Sequence, residues 1–167
     1  MCGIVGFIEK VDSQEADRTL EQMVNQIRYR GPDDIGFWYG SNDGVGLAHS
    51  RLSILDLTRT GHQPMLSLSG RYVIVYNGEI YNHLRIRNKL ESEGYTSWKG
   101  HSDTETLLAA IEHWGVEKAV LECTGMFAFA VWDKVNKVLT LGRDRLGEKP
   151  LYYGWINGVF LFASELK

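Results

Sequence analysis

Residues 1–8 read Met1-Cys2-Gly3-Ile4-Val5-Gly6-Phe7-Ile8. From Cys2 to Ile8 the run is short and almost continuously apolar, which predicts a strand buried in a sheet. Removal of Met1 would leave the thiol and the free α-amine on one first residue, a nucleophile with its own base. The amine titrates at about 8 and the thiol at about 8.5, so the amine can accept the thiol proton near neutral pH. A retained Met1 would convert that amine into an amide, which cannot act as a base. The alternative interpretation is that Cys2 is an incidental residue near a frayed end.

The composition is typical of a globular protein. The 167 residues fit one domain with a sizeable core, and 44% of them are hydrophobic and 23% charged. A net charge of −3 without long runs of lysine or arginine gives no support for a nucleic-acid partner. The two cysteines make no disulfide framework, and nothing resembles a signal peptide or a membrane-spanning stretch. We therefore expect a cytoplasmic protein without a membrane partner.

Apolar spacing divides the rest of the chain into helices and strands. It predicts helices over about Glu15–Arg28, over about Asn82–Glu93, and from Ser102 onward, where Ser102 and Glu105 have the spacing of a capping box. Strands are predicted at 37–39, 45–50, 72–76 (ending at Asn77-Gly78), 126–132, 138–143, 151–155 and 159–163.

Turn sequences indicate how these strands are joined. Asp43-Gly44 and Asn157-Gly158 are typical of tight hairpins, so we expect mostly antiparallel sheets. Two sheets need their outer faces covered, and the three predicted helices can cover them. The sequence therefore predicts an α+β layered sandwich, organised as one unit over residues 1–167.

An arginine marks the first of three polar clusters that could form a site with Cys2. The cluster His49-Ser50-Arg51-Leu52-Ser53-Ile54 lies where a predicted strand ends and a loop begins. An arginine in that place can bind a carboxylate bidentately. A surface ion pair, or a residue that ties down the loop, is the simpler interpretation of Arg51 taken alone.

The other two clusters supply hydrogen-bond donors and carboxylates. Asn77-Gly78, within Tyr76-Asn77-Gly78-Glu79-Ile80-Tyr81, is most commonly a hairpin turn, but a helix rather than a long strand is predicted soon afterwards. The Asn77 amide and the Gly78 N–H are donors that could form an oxyanion hole. Asp103 could hold an ammonium group, although its place at a helix start also explains it. Jointly, the three clusters and Cys2 predict a site for an amino acid.

Other chemical motifs are weaker. The five histidines and two cysteines show neither HExxH nor CxxC spacing, so no metal site is predicted. Residues 142–149 resemble a phosphate-binding loop, but Glu148 stands where the lysine should be. A turn braced by Arg143 and Asp144 is the better interpretation. Cys123 lies beside an apolar run and is interpreted as a buried, inert thiol.

These clusters match a known family. From Cys2 to Lys167 the chain resembles the N-terminal glutaminase domain of glutamine-hydrolysing asparagine synthetases, which are class II glutamine amidotransferases with an N-terminal nucleophile. The markers are Cys2-Gly3-Ile4-Val5-Gly6, Arg30-Gly31-Pro32-Asp33, His49-Ser50-Arg51-Leu52-Ser53-Ile54, Gly61-His62-Gln63-Pro64, Tyr76-Asn77-Gly78-Glu79-Ile80-Tyr81, Ser102-Asp103-Thr104-Glu105, Gly125-Met126-Phe127-Ala128, Arg143-Asp144, and Gly147 with Lys149-Pro150-Leu151-Tyr152-Tyr153.

The resemblance implies a fold, an activity and a role for each matching residue. The fold is a four-layer αββα sandwich of the N-terminal-nucleophile hydrolase type, and the activity is hydrolysis of L-glutamine to glutamate and ammonia. By position, Cys2 would be the nucleophile, and Asn77 and Gly78 would form the oxyanion hole. The implied substrate-binding residues are Arg51 for the α-carboxylate, Glu79 and Asp103 for the α-ammonium, and Leu52 and Ile54 for the pocket wall.

The resemblance also sets expectations for partners. Family members continue into an ATP-dependent asparagine synthetase domain, which is absent from residues 1–167 and would receive the ammonia. ATP and Mg are expected only for that domain, so no cofactor is expected here. Full-length relatives are often homodimers. Three alternatives stay open: a catalytically silent binding or regulatory module, an amidotransferase half that serves another acceptor, and an N-terminal-nucleophile hydrolase acting on a different amide.

Overall fold

Nine strands and four α-helices occupy residues 1–53 and 59–166, the part of the chain that the computed structural model describes. The strands are β1 (Gly3–Ile8), β2 (Asp34–Gly40), β3 (Val45–Arg51), β4 (Met65–Leu66), β5 (Tyr72–Ile80), β6 (Gly125–Asp133), β7 (Val138–Arg143), β8 (Tyr152–Ile156) and β9 (Val159–Ala163). The helices are α1 (Ser13–Gln26), α2 (His83–Ser92), α3 (Asp103–Trp114) and α4 (Val116–Glu122). No helix in the described ranges is long and apolar enough to cross a membrane.

The strands form two sheets in which every paired strand is antiparallel, as the hairpin turns predict. The five-stranded sheet has the order β2-β3-β1-β9-β8, and the four-stranded sheet has the order β4-β5-β6-β7. β1 is the central strand of the larger sheet. Its Ile4 lies opposite His49 of β3, and its Val5 lies opposite Ala163 of β9. Hydrogen-bonded neighbours on both sides therefore hold the N-terminal strand in place.

The two sheets face each other across an apolar layer. Ile4, Leu47 and Phe162 of the five-stranded sheet share one core cluster with Val75 and Ala130 of the four-stranded sheet. All five are almost completely buried. Burial of a large apolar side chain contributes about 1.5–3 kcal/mol, so this layer accounts for the face-to-face packing of the sheets.

Helices cover both outer faces. Leu20 of α1 packs in one cluster with Phe7 of the five-stranded sheet. Leu90 of α2 and Leu107 of α3 pack in another cluster with Phe129 of the four-stranded sheet. The layers therefore run helix, sheet, sheet, helix, and the predicted αββα sandwich is confirmed.

Two helices begin where a side chain caps the first turn. The Ser102 hydroxyl accepts a hydrogen bond from Glu105 N at 3.1 Å, as the sequence predicts. The capping box is only half formed, because the Glu105 carboxylate binds the N–H groups of Lys99 and Gly100 instead. α1 begins two residues before its predicted start, because Asp12 accepts from Glu15 N at 2.9 Å and caps it there.

The prediction that a strand ends at Asn77-Gly78 is wrong. β5 continues to Ile80, with Asn77 opposite Ala128 and Gly78 opposite Phe127 of β6. A Cβ on residue 78 would overlap the Met126 carbonyl oxygen and lie 2.6 Å from Phe127 Cα. The glycine thus permits a close approach of β6, and the Asn-Gly pair lies within a strand rather than in a turn.

Two short elements were not predicted. A fourth helix, α4, begins directly after Gly115, whose φ of 84° ends α3 and lets the chain change direction. The two-residue strand β4 pairs with β5 through Met65 and Ile74. Both elements are too short for periodicity to identify.

Candidate active site

Cys2 lies immediately before β1, with its side chain half-buried. The Leu52 backbone N–H donates to Cys2 Sγ at 3.4 Å, and Sγ lies 3.6 Å from the Leu52 carbonyl oxygen. Burial raises the pKa of the Cys2 thiol, and the hydrogen bond from Leu52 opposes that rise. The thiol therefore sits where the central strand meets the segment that follows β3.

Two residues to which the sequence assigned no role hold the N-terminal segment. Arg30 Nε donates to the Cys2 carbonyl oxygen at 3.1 Å, and Arg30 Nη1 pairs with Glu165 at 2.7 Å. The Ser164 hydroxyl accepts from Ile4 N at 3.0 Å. Arg30 was noted only within a family marker and Ser164 not at all, because these contacts join residues 28 and 160 positions apart.

A cavity of about 110 Å³ opens beside Cys2. It lies where the two residues before β1, the end of β3, the strand β5 and the start of α3 meet, so residues of both sheets contribute to its wall. Every predicted site residue within the described ranges lines it: Cys2, Arg51, Leu52, Asn77, Gly78, Glu79 and Asp103. Ile54, also predicted for the wall, lies outside the described residues.

Arg51 brings a buried guanidinium to the cavity from the end of β3. Gly61 also lines the cavity, and a Cβ there would overlap Arg51 Nη2 and lie 2.8 Å from Arg51 Cζ. The glycine therefore leaves the space that the guanidinium occupies. The sequence singled out Gly61 only as part of a family marker.

The side-chain amide of Asn77 has an N–H donor that makes no hydrogen bond to any other described residue. Its side chain is buried, and its Nδ2 has no hydrogen-bond partner among the described residues. A buried polar group left unpaired costs about 1–3 kcal/mol, which makes it an informative exception at a cavity wall. Gly78, the next residue along β5, adds backbone to the same wall without a side chain.

Two carboxylates line the same cavity. Asp103, the first residue of α3, is buried and accepts hydrogen bonds from Tyr76 Oη at 2.8 Å, Ile80 N at 2.9 Å and Thr104 N at 2.9 Å. Burial raises the pKa of Asp103, while these three hydrogen bonds oppose the rise. Glu79 is partly buried on β5.

Two buried side chains fix the backbone of β5 beside the cavity. Gln63 Oε1 accepts from Tyr76 N at 2.6 Å, and Gln63 Nε2 donates to Thr104 Oγ1 at 3.4 Å. His49 Nε2 donates to the Tyr76 carbonyl oxygen at 3.0 Å. Burial lowers the pKa of His49 to about 3, so the imidazole is neutral at physiological pH and serves as a structural donor.

The turn between β7 and β8 brings a lysine to the cavity. Asp144 accepts backbone N–H bonds within this turn, as the interpretation of residues 142–149 as a braced turn predicted. Lys149 is buried and lines the cavity with Met1 and Met126. Its Nζ lies 3.7 Å from Met1 Sδ, so the first residue currently fills space beside the ammonium. Sequence reasoning did not assign Lys149 to the site.

The cavity thus combines a nucleophilic thiol with groups that match a zwitterion. A guanidinium can bind a carboxylate, two carboxylates can bind an ammonium, and an unpaired amide N–H can bind a developing oxyanion. No group of three or more His, Cys, Asp or Glu side chains within residues 1–53 and 59–166 is placed to hold a metal ion. The arrangement suits nucleophilic attack on an amino acid.

Sequence comparisons agree with this chemistry. A family described as a glutamine amidotransferase domain matches residues 1–167. Glutamine-hydrolyzing asparagine synthetase 1 of Bacillus subtilis is 42% identical, covering 100% of this chain and 26% of that protein. A putative glutamine-hydrolyzing asparagine synthetase of Methanocaldococcus jannaschii is 40% identical, covering 100% and 34%. Amidase chry2 of Gibberella zeae is 37% identical, covering 100% and 26%.

A structural comparison supports the fold. A solved glutamine phosphoribosylpyrophosphate amidotransferase from B. subtilis aligns with a TM-score of 0.79 at 18% identity, covering 98% of this chain and 42% of that chain. The chain therefore shares its fold. Against the curated relatives named above, it spans between 26% and 34% of their length.

Proposed function

The chain belongs to the family of glutamine amidotransferase domains, and on that premise we propose that it hydrolyses L-glutamine to glutamate and ammonia with Cys2 as the nucleophile. The observation that carries the proposal is one cavity lined by the Cys2 thiol, the Arg51 guanidinium, two carboxylates and the unpaired Asn77 amide. Each group has a counterpart in glutamine: an electrophilic side-chain amide, an α-carboxylate, an α-ammonium and a carbonyl oxygen.

Charge complementarity sets the orientation of the substrate. The α-carboxylate of glutamine binds Arg51, and its α-ammonium lies between Asp103 and Glu79. The hydrogen bonds to Asp103 from Tyr76 and from two backbone N–H groups favour its ionised form, which an ammonium requires. With both ends of the zwitterion fixed, the side-chain amide points towards Cys2.

Hydrolysis proceeds through a thioester. Cys2 Sγ bonds to the amide carbon while the thiol proton passes to the α-amine, and Asn77 Nδ2 with Gly78 N–H binds the oxyanion. The bond from carbon to nitrogen then breaks, the proton moves from the amine to the nitrogen, and ammonia departs. Water attacks the thioester with the amine as its base, and glutamate and the free thiol are released.

This mechanism requires removal of Met1. Only then is the nitrogen of Cys2 an amine rather than an amide. Met1 is 57% exposed and lines the cavity, so its removal both creates the base and vacates space beside the thiol. The small residue at position 2 leaves this bond sterically accessible.

We further propose that the ammonia passes to an ATP-dependent synthetase domain that forms asparagine. The support is the 36–42% identity to asparagine synthetases of which this chain spans about a quarter to a third. In this proposal ATP and Mg serve that domain alone, the protein is cytoplasmic, and it assembles as a homodimer. The similarity to a protein named an amidase favours a second candidate, hydrolysis of an amide other than that of free glutamine.

Glutamate release from glutamine tests the activity. Protein shown by intact mass to lack Met1 is expected to release glutamate, and the same protein with Met1 retained is expected to release none. Cys2→Ala should abolish release. Cys123→Ala is the matched control and should preserve it, because that thiol is buried against α4, donates to the Ala119 carbonyl oxygen, and has a pKa raised by burial to about 12.

Two outcomes would contradict the proposal. Processed protein that binds glutamine without releasing glutamate would indicate a silent regulatory module. Release of ammonia from peptide amides in preference to free glutamine would indicate a different hydrolase.

A further inference from the structure

Lys149 is a buried cation in the cavity that the proposed reaction does not use. The residue is 7% exposed and lines the cavity with Cys2, Arg51 and Asp103. Within the described part of the chain, the hydrogen-bond contact found for its Nζ is the one to Met1 Sδ, and no ion pair joins it to a carboxylate. Lysines are seldom buried without such a pair, because burial penalises the charge.

Hydrogen bonds of Asp144 and Arg143 hold the backbone of the turn that carries Lys149. The Asp144 carboxylate accepts four backbone N–H bonds, including Lys149 N at 3.0 Å and Phe127 N at 3.3 Å. Arg143 Nε donates to the Lys149 carbonyl oxygen at 2.6 Å, and Arg143 Nη2 donates to Gly147 O. A buried aspartate and an arginine thus fix the backbone from which the lysine side chain enters the cavity.

In the proposed orientation, neither charged end of glutamine pairs with Lys149. The ionisable groups that line the cavity are Cys2, Arg51, Glu79, Asp103 and Lys149, with the Tyr76 phenol bonded to Asp103. The substrate α-carboxylate matches Arg51, and the substrate α-ammonium matches the two carboxylates. The two carboxylates exceed the single α-ammonium by one negative charge, and Lys149 supplies the matching positive charge in the part of the cavity that the first residue occupies.

We infer that Lys149 is a positioning residue whose positive charge keeps the α-amine of processed Cys2 in its unprotonated, basic form. The inference rests on the proposed function. A second positive charge in the same small cavity disfavours protonation of the amine and favours the thiolate. Arg51 acts in the same direction before the substrate binds, and Glu79 and Asp103 act against it. Lys149 itself exchanges no proton: the thiol proton still moves to the amine and then to ammonia.

The pH dependence of Cys2 chemistry tests this inference. Lys149→Met keeps an unbranched chain and removes the charge, and Lys149→Arg restores a charge. On protein lacking Met1, the acidic limb of kcat/KM for glutamine is expected to move up by about one pH unit in Lys149→Met, as for a neighbouring charge in a partly buried site. Lys149→Arg should return it towards the wild-type position. The rate at which iodoacetamide alkylates Cys2, identified by peptide mass, should shift in the same direction.

Controls separate this effect from a structural one. Lys10→Met removes the same charge at an exposed position and should leave both pH profiles unchanged. If Lys149→Met does not fold, Lys149→Gln takes its place. The inference would be overturned if Lys149→Met lost the same fraction of its rate at every pH, or if its kcat/KM and alkylation profiles did not shift. Processed wild-type protein without glutaminase activity would contradict the proposed function instead, and the alkylation profile would still report on Lys149.

Discussion

Replacement of Asn77 by alanine is expected to lower the rate of glutamine hydrolysis and to raise the stability of the fold. As an oxyanion donor, Asn77 acts mainly in the transition state, and loss of one such donor lowers kcat by about 10²–10³-fold, or 2.7–4 kcal/mol. KM for glutamine should change little, because Arg51 and the two carboxylates still bind the ends of the substrate. While kcat falls, the free energy of unfolding should rise, because the unpaired Nδ2 costs the free protein about 1–3 kcal/mol.

The expected gain in stability follows from the environment of Asn77. Alanine removes the buried, unpaired donor, and the space it leaves joins the cavity that residue 77 already lines. Some packing is lost, so we expect the free energy of unfolding to rise by about 1 kcal/mol at most. For a chain of this size that is an increase in Tm of about 2–4 °C. Thermal unfolding and glutamate release on the same samples provide the two measurements.

Asn82 is the matched control, because both ends of its amide are satisfied. Its Nδ2 donates to the Glu122 carbonyl oxygen at 2.9 Å, and its Oδ1 accepts from Thr124 N at 2.9 Å. Asn82→Ala should therefore lower the free energy of unfolding by about 1–3 kcal/mol and preserve kcat. The reasoning is refuted if Asn77→Ala lowers Tm as much as Asn82→Ala does and leaves turnover near the wild-type value.

Three further substitutions test individual contacts. Arg51→Ala should raise KM for glutamine by about 10- to 100-fold, because a charge-assisted contact is lost, and unchanged KM would exclude Arg51 from binding. Gly61→Ala should raise KM with little change in Tm, because the new Cβ displaces the flexible end of Arg51, and unchanged kinetics would contradict this. Tyr76→Phe removes one donor to Asp103 and should lower the free energy of unfolding at neutral pH by about 1.5–3 kcal/mol. Burial raises the pKa of Asp103 above its ordinary value, so the folded protein protonates this carboxylate at a higher pH than the unfolded chain does. The stability lost in Tyr76→Phe should therefore shrink as the pH falls through the raised pKa of Asp103 and its carboxylate becomes neutral, and a loss independent of pH would exclude the hydrogen bond as its cause.

Local sequence signals were sufficient for most of the secondary structure. The apolar run that ends at Ile8 forms β1, Ser102 caps α3, and Asn157-Gly158 joins β8 to β9 with positive φ at both residues. These features depend on side chains within a few positions of one another, so periodicity and turn chemistry identify them. The prediction that a strand ends at Asn77-Gly78 was wrong for the opposite reason. Gly78 permits a close contact with β6, which lies about 50 residues further along the chain.

The sequence by itself determined the layered α+β architecture and, through its motifs, the thiol, guanidinium, amide and carboxylates that line the cavity. Only the tertiary structure decided that β1 is the central strand of its sheet, that Arg30 and Ser164 hold the N-terminal segment, and that Lys149 joins the cavity. Sheet order, burial and cavity walls arise from packing between residues far apart in the chain. No local pattern encodes those contacts, because they form and contribute to stability only when the two sheets pack together.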